Sequence, residues 1–278
     1  MFVRIIFNSA AIRTDYSRSG PNAVFFQLEL LPMRVLVVFN PASGNGTARR
    51  MLPLIKAEIT AHDIQAEIAI TQHKGHATRL VADRCLSGYD AIVAGGGDGT
   101  VFEVINGYFD NDGKRKPPIG VLPLGTGNAF SRELGLTRSR WKDAIGVLSR
   151  RECRRIDAAE FDCGGRRRHY ISVLGMGFVS DVNAAAERVK FLGTKAYTLC
   201  VFQELLRFTS FRLVLEIDGE RIERDNHFVE VSNTRYTGTD FMIAPEANLD
   251  DGLLDVVLLN KISRWRFLKS FPSVYRGK

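Results

Sequence analysis

Ala91-Ile92-Val93-Ala94-Gly95-Gly96-Gly97-Asp98-Gly99-Thr100-Val101-Phe102-Glu103-Val104-Ile105 passes from a short apolar run, through consecutive glycines, into a segment with helical spacing. A strand that enters a glycine turn and then a helix gathers several backbone N–H groups in one small cradle, with the positive helix end behind it. Such a cradle is a phosphate site. Asp98 in its middle is unfavourable against bare phosphate, so it implies a magnesium ion or a hydroxyl proton that needs a carboxylate. It is the candidate catalytic residue. A flexible glycine turn is the plainer reading, against which strand, turn and helix signals all agree.

The same pattern extends on both sides. Val35 to Phe39 reads as a buried strand, followed by the loop Asn40-Pro41-Ala42-Ser43-Gly44-Asn45-Gly46 and a helix over 48–61 with Met51, Leu54, Ile55 and Ile59 on one face. Ala66 to Ile70, Ala91 to Ala94 and Pro118 to Leu122 read as further strands. Helices are expected at His76 to Leu86, at Val101 to Phe109, and after Pro123-Leu124-Gly125-Thr126-Gly127-Asn128. This alternation indicates an α/β domain with a mostly parallel sheet, whose ligands bind beyond the carboxyl ends of the strands. Three polar, glycine-bearing loops fall on that edge: Asn40 to Gly46, Gly95 to Thr100 and Gly125 to Asn128. Together they describe a nucleotide pocket. Neither a G-x-x-x-x-G-K-[ST] loop nor a G-x-G-x-x-G fingerprint is present, and the G-x-S-x-G elbow of esterases is missing too.

Beyond about residue 150 strands follow one another at Arg154 to Phe161, His169 to Leu174, Phe211 to Ile217, Phe228 to Ser232 and Leu253 to Leu259. Only Asp181 to Phe208 reads as helical there, so a second, β-rich domain is expected, with a second substrate in the crevice between the two. The domain plan is 1–32, a disordered or mis-started leader with Met33 as an alternative start; 33–152, the nucleotide-binding domain; and 153–278, the β-rich domain. Among 278 residues, 38 Lys and Arg outweigh 31 Asp and Glu for a formal charge of +7. Lys114 to Lys116, Arg150-Arg151 with Arg154-Arg155, and Arg166 to Arg168 carry much of the excess and fit an anionic bilayer. No nucleic-acid motif accompanies them. Cys85, Cys153, Cys163 and Cys200 have no zinc or disulfide spacing, and His73 and His76 lack metal partners, which leaves loop and helix-start roles. A cytoplasmic protein, peripheral on the inner face of the membrane, is the expectation, and a homodimer stays open.

Asn40-Pro41-x-Ser43-Gly44, Thr71 with Gly75-His76-Ala77, Gly96 to Thr100, Pro123-x-Gly125-Thr126-Gly127-Asn128, Gly175-x-Gly177 and Ala244-Pro245-x-Ala247-x-x-Asp250-Asp251-Gly252-Leu253-Leu254-Asp255 occur in a family order. From Met33 onward the chain resembles the diacylglycerol kinase catalytic-domain family. The resemblance implies ATP-dependent transfer of the terminal phosphate to a lipid hydroxyl, diacylglycerol-like or sphingoid, with a β-sandwich-like second domain helping to hold the lipid. Carried over by position, it gives Asn40 to Gly44, Thr71, Gly97 to Glu103 and Thr126 to ATP, and Asp98 to the magnesium or the acceptor hydroxyl. It gives a structural magnesium to Asp251 with the backbone oxygens of Asn248 and Leu253.

The sequence departs from the family at Ala129, where many relatives are acidic, and at Tyr236-Thr237-Gly238-Thr239, in place of a richer glycine run. In the family, strands beyond the region of Tyr275 to Lys278 carry an Asp-Gly-Glu triplet that supplies the base, so the resemblance implies a truncated sandwich and an incomplete site. Asp218-Gly219-Glu220 spells the same letters but reads as a hairpin turn. Two other functions stand beside the lipid kinase: a NAD kinase, which shares the glycine motif but lacks the asparagine-proline loop and the Asp-Asp-Gly-Leu-Leu-Asp segment, and a catalytically silent nucleotide- or lipid-binding protein.

Overall fold

Residues 35–39 are all buried, so both faces of the strand Arg34–Phe39 (β1) are covered. The fold is given by a computed structural model, which describes residues 32–113, 115–188, 194–205, 207–238 and 241–277. The leader, except for its last residue, lies outside these, as do Lys114 and Thr239. Side chains alternate across a strand. Leu36 and Val38 therefore meet helices His76–Ala82 (α2) and Asp98–Asp110 (α3), while Val35, Val37 and Phe39 meet Thr47–Ala61 (α1) and Trp141–Ser149 (α5). Between them stands one parallel sheet in the order β2-β1-β3-β4, with β2 at Gln65–Ile70, β3 at Ala91–Gly96 and β4 at Ile119–Pro123. A five-residue helix, Ala129–Glu133 (α4), follows β4.

The second half is antiparallel, as expected. Val173–Gly177 (β7), Phe211–Ile217 (β8), Glu220–Ser232 (β9) and Asp255–Asn260 (β12) form a sheet in which β9 pairs with the other three. Asp218 (φ 50°) and Gly219 (φ 85°) turn β8 into β9, the left-handed pair that a two-residue hairpin requires. Helices Phe178–Arg188 (α6) and Thr194–Leu205 (α7) occupy the stretch read as helical, and Val182, Cys200, Val201 and Leu205 enclose a core with Phe178, Phe208, Phe228, Phe241 and Phe267. Val189 and Leu192 lie outside the described residues.

Four expectations are corrected. The second helix stops at Ala82 rather than Leu86, because Asn111 Nδ2 donates to the carbonyls of Val81, Ala82 and Arg84 and ends the turn there. Arg154 to Ala158 is not strand, and only Ala159–Cys163 (β5) pairs, with Arg166–Tyr170 (β6). The single strand read at His169 to Leu174 is two strands in different sheets. The break falls at Ile171-Ser172, whose carbonyls accept from Asn233 Nδ2 and Asn233 N–H. Finally, Arg264–Ser270 (α8) is helical where no helix was expected, with Ser263 Oγ accepting from Arg266 N–H as its cap.

Candidate active site

From β1 the chain moves out to β2 and returns to β3 on the other side of β1, which opens a crevice beyond the carboxyl ends of β1 and β3. Asn40, the first residue after β1, spans it. Its N–H donates to Gly95 O at 2.8 Å, its Nδ2 donates to Thr100 Oγ1 at 3.0 Å, and its Oδ1 accepts from Ala42 N–H at 3.0 Å. The first and second loops are thereby locked together. A Cβ on Gly96 would lie 2.2 Å from Thr100 Oγ1, and one on Gly125 only 2.5 Å from Gly97 Cα. Only glycine fits at either position, and at Gly125 it lets two backbones meet. Asn128, in the left-handed region at φ 56°, brackets the contact: its Oδ1 accepts from Gly125 N–H and its Nδ2 donates to Gly125 O.

Helices α1, α2, α3 and α4 all start on this edge, behind Gly46, Gly75, Gly97 and Asn128, and none of those four residues caps its helix with a side chain. Their positive ends converge. In the first loop the N–H groups of Ala42, Ser43, Gly46, Thr47 and Ala48 are all engaged within the loop, which fixes its shape. In the second, Thr100 and Val101 donate to Gly97 O. Gly99 differs: it is exposed, its N–H makes no hydrogen bond among the described residues, and a Cβ built on it meets nothing within 4 Å. An open cradle floored by backbone N–H is the result.

Asp98 begins α3 and is half-buried as a residue, but its carboxyl turns inward. Oδ1 accepts from Phe130 N–H at 3.3 Å, at the start of α4. Burial pushes this carboxyl above the usual carboxylate range, against the lowering effect of the N–H groups of Ala129, Phe130 and Asn128. Gly127 covers the group; a Cβ there would lie 3.0 Å from Asp98 Oδ2 and 3.0 Å from the carbonyl oxygen of Gly238. The second domain thus reaches the catalytic candidate through Gly238.

The remaining candidates divide. Thr71 is buried beside the end of β1, to which its N–H is bonded at Phe39 O, and Glu103 pins the neighbouring loop by accepting from Gly75 and Ala77 N–H. Asn40, Glu103 and Asn128 therefore use side-chain hydrogen bonds to hold the loops themselves. Thr126 stands half-buried between Gly125 and Gly127. Asn248, Asp251 and Leu253 form a turn tied to the 154–157 segment: Asp157 Oδ2 accepts from Gly252 N–H, Arg154 pairs with Asp250, and Asp251 Oδ1 accepts from Leu253 N–H. Burial, then the charges of Asp251 and Glu246, raise the Asp255 carboxyl. No cluster of three His, Cys, Asp or Glu is gathered among the described residues. His73 and His76 stack at 5.0 Å, with His76 Nδ1 accepting from Gln72 N–H at the head of α2.

Several contributors carried no signal in the sequence. Arg138 donates to Thr47 Oγ1, whose hydroxyl donates to Gly44 O, closing the first loop from outside. Arg235 of the second domain donates to Glu133 through Nε at 2.8 Å and through its N–H at 3.1 Å. Their partners lie about 100 residues away, out of reach of any local pattern.

A family model described as the diacylglycerol kinase catalytic domain matches residues 34–161. A second, described as the YegS C-terminal NAD kinase beta sandwich-like domain, matches residues 172–278. A diacylglycerol kinase of Mycobacterium tuberculosis is 32% identical over 249 residues, 88% of this chain and 79% of that protein. The chain belongs to the diacylglycerol kinase family. A Bacillus subtilis diacylglycerol kinase is 27% identical over 88% of this chain and 80% of its own length. The crystal structure of a diacylglycerol kinase from Bacillus anthracis superposes with a TM-score of 0.66 at 27% identity, covering 87% of this chain and 78% of that one. Both domains, parallel α/β and sandwich-like, follow this family. The chain is a lipid kinase, and membership implies ATP as the phosphate donor.

Proposed function

We propose that the crevice formed by Asn40 to Gly44, Gly95 to Thr100 and Gly125 to Asn128 binds ATP, and that the terminal phosphate passes from it to the hydroxyl of diacylglycerol. The observation that carries this reading is the cradle at Gly99, where an unengaged N–H, an open Cβ position and the α3 N-terminus coincide beside a buried carboxyl. Phosphoryl transfer is largely a matter of positioning and charge stabilisation. The loop backbones supply the positioning, held by hydrogen bonds within and between the loops. Asp98 is the acid-base candidate: burial raises its proton affinity toward the range in which a carboxylate takes a proton from a hydroxyl. Magnesium, when bound, offsets phosphate charge.

Asp251, with the backbone oxygens of Asn248 and Leu253, is the proposed holder of a structural magnesium, a donor set of hard oxygens. Asp251→Ala is expected to abolish any rise in Tm that wild type shows on adding magnesium without nucleotide; an equal rise in both would exclude the turn. Attachment to an anionic bilayer from the cytoplasmic side is proposed for the basic loops. The decisive assay follows label from γ-labelled ATP into organic-soluble lipid, with Asp98→Ala reducing it to background. Label appearing only on NAD would assign the protein to soluble ribose phosphorylation instead.

A further inference from the structure

Glu230 lies in the middle of the second sheet with no exposed surface, between Gly175 of β7 and Val257 of β12. It shares its face of β9 with Phe228, a member of the aromatic core. Its Oε1 accepts from Ser232 Oγ at 3.0 Å and from Thr237 Oγ1 at 2.5 Å, while Oε2 is buried without a partner among the described residues. Burial pushes this carboxyl up. A buried acid with one oxygen unanswered is costly, and an apolar residue would serve the sheet better.

What the acid holds is Thr237, itself 2% exposed, in the two-residue strand Tyr236–Thr237 (β10) that pairs with Phe241–Met242 (β11). The next residue is Gly238, whose carbonyl oxygen and Asp98 Oδ2 both close on the Cβ position of Gly127, each 3.0 Å from it. At the other end of the same loop Arg235 is fastened to Glu133 of α4. A continuous path therefore leads from the second sheet to the carboxyl at the crevice.

We propose that Glu230 is a positioning residue for phosphoryl transfer: through Thr237 it sets the Gly238 backbone against Gly127 and so fixes the Asp98 carboxyl at the start of α4. This inference rests on the reading of Asp98 as the reacting group. Glu230 touches neither nucleotide nor lipid, and its effect is on turnover rather than on binding.

The test uses the whole chain and four variants: Glu230→Leu, Thr237→Val, Thr237→Ser and the Glu230→Leu/Thr237→Val double. Transfer to dioleoylglycerol in mixed micelles gives kcat and the KM for ATP, and amide exchange is followed in the segment 124–133. Each of the first two variants is expected to lower kcat about tenfold with KM within about twofold, Glu230→Leu without loss of Tm. Thr237→Ser keeps wild-type turnover, and the double variant is no slower than either single one, since both changes break one link. Wild-type kcat in Thr237→Val, multiplying losses in the double variant, or failure of Thr237→Ser would overturn the proposal. If wild type itself transfers nothing, the lipid-kinase reading falls separately, and exchange decides the coupling. Faster exchange at 124–133 in Glu230→Leu and Thr237→Val, but not in Thr237→Ser, supports it; unchanged exchange refutes it.

Discussion

Two glycines of one motif do different work, and their surroundings say which is which. Gly96 has Thr100 where its Cβ would be, at 2.2 Å, whereas Gly99 faces open space. Gly96→Ala is therefore expected to destabilise the fold by about 1–3 kcal/mol, what overpacking against a fixed side chain costs. Gly99→Ala should leave Tm unchanged within error and lower ATP affinity about tenfold, by placing a methyl where phosphate approaches an N–H. Titration of ATP into both variants, with melting curves alongside, separates the two roles; equal affinity in Gly99→Ala would remove the cradle from the site. Asp98 adds a pH dependence. Its folded-state affinity for protons exceeds the unfolded one, so the folded state binds more protons just above about pH 4, and stability is lost as pH rises through the folded value. Asp98→Asn keeps the acceptor for Phe130 N–H and cannot ionise. It should be more stable than wild type at neutral pH and lose part of the decline with rising pH, Glu230 contributing the remainder with the same sign. Its transfer rate should fall at least about a hundredfold. A variant destabilised at neutral pH would show that the carboxylate is paid back by contacts other than those described.

At the scale of elements, the sequence was most informative where burial is two-sided. β1 and β3 are continuous apolar runs that stop at glycine or asparagine, and their ends, loops and following helices are local signals, so the three site loops could be placed on one edge. In the second half the strands change partners at Ile171-Ser172, through hydrogen bonds to Asn233 some sixty residues away, and nothing local announces this. α8 is two turns long, too short for a periodicity to emerge. Asp98 was legible as chemistry, but its enclosure by Gly127, Gly238 and α4 was not, because two segments distant in sequence build it. One such long-range tie is testable by itself. Asn106 on α3, 2% exposed, accepts from His169 N–H and donates to His169 O, both at 3.0 Å, and Phe109 stacks on the His169 ring at 3.9 Å. Asn106→Ala leaves two backbone groups of β6 unanswered. The expected cost is about 2 kcal/mol, a fall in Tm of roughly 4–8 °C at about 2–4 °C per kcal/mol for a chain of this size. Urea unfolding would check it: an unchanged midpoint would mean that the β5-β6 ribbon adds nothing to the first domain.

For the molecule as a whole, the open question is how a protein with no helix among its described residues long and apolar enough to cross a membrane meets a lipid hydroxyl. Its charge offers one route. The formal excess is +7, yet several of the basic residues named in the sequence are partly neutralised: Arg150 by Glu152, Arg154 by Asp250, and Arg168 by Asp110 at 3.7 Å. Exposed pairs like these hold weakly and yield to a denser field of charge. Arg151, Arg166 and Arg167 are exposed, the last two on the hairpin of β5 and β6, which packs against α3 through His169 on Asn106 and Phe109. An anionic surface gains about 1 kcal/mol per basic residue brought near it, within a screening length of about 10 Å at 0.1 M salt. Binding to phosphatidylglycerol vesicles is therefore expected to weaken steadily as salt rises, with little retention on phosphatidylcholine alone. Arg166→Glu/Arg167→Glu should reduce the affinity at low salt by about a factor of ten or more, through loss of two favourable charges and gain of two opposed ones. Transfer to a short-chain diacylglycerol dispersed without anionic lipid should be untouched in the same variant, because the hairpin meets α3 near its C-terminal end at Asp110, away from the loops proposed to bind nucleotide at its N-terminal end. Salt-independent binding, or equal loss on both substrates, would show that contact with the bilayer is made by apolar surface or by the crevice itself.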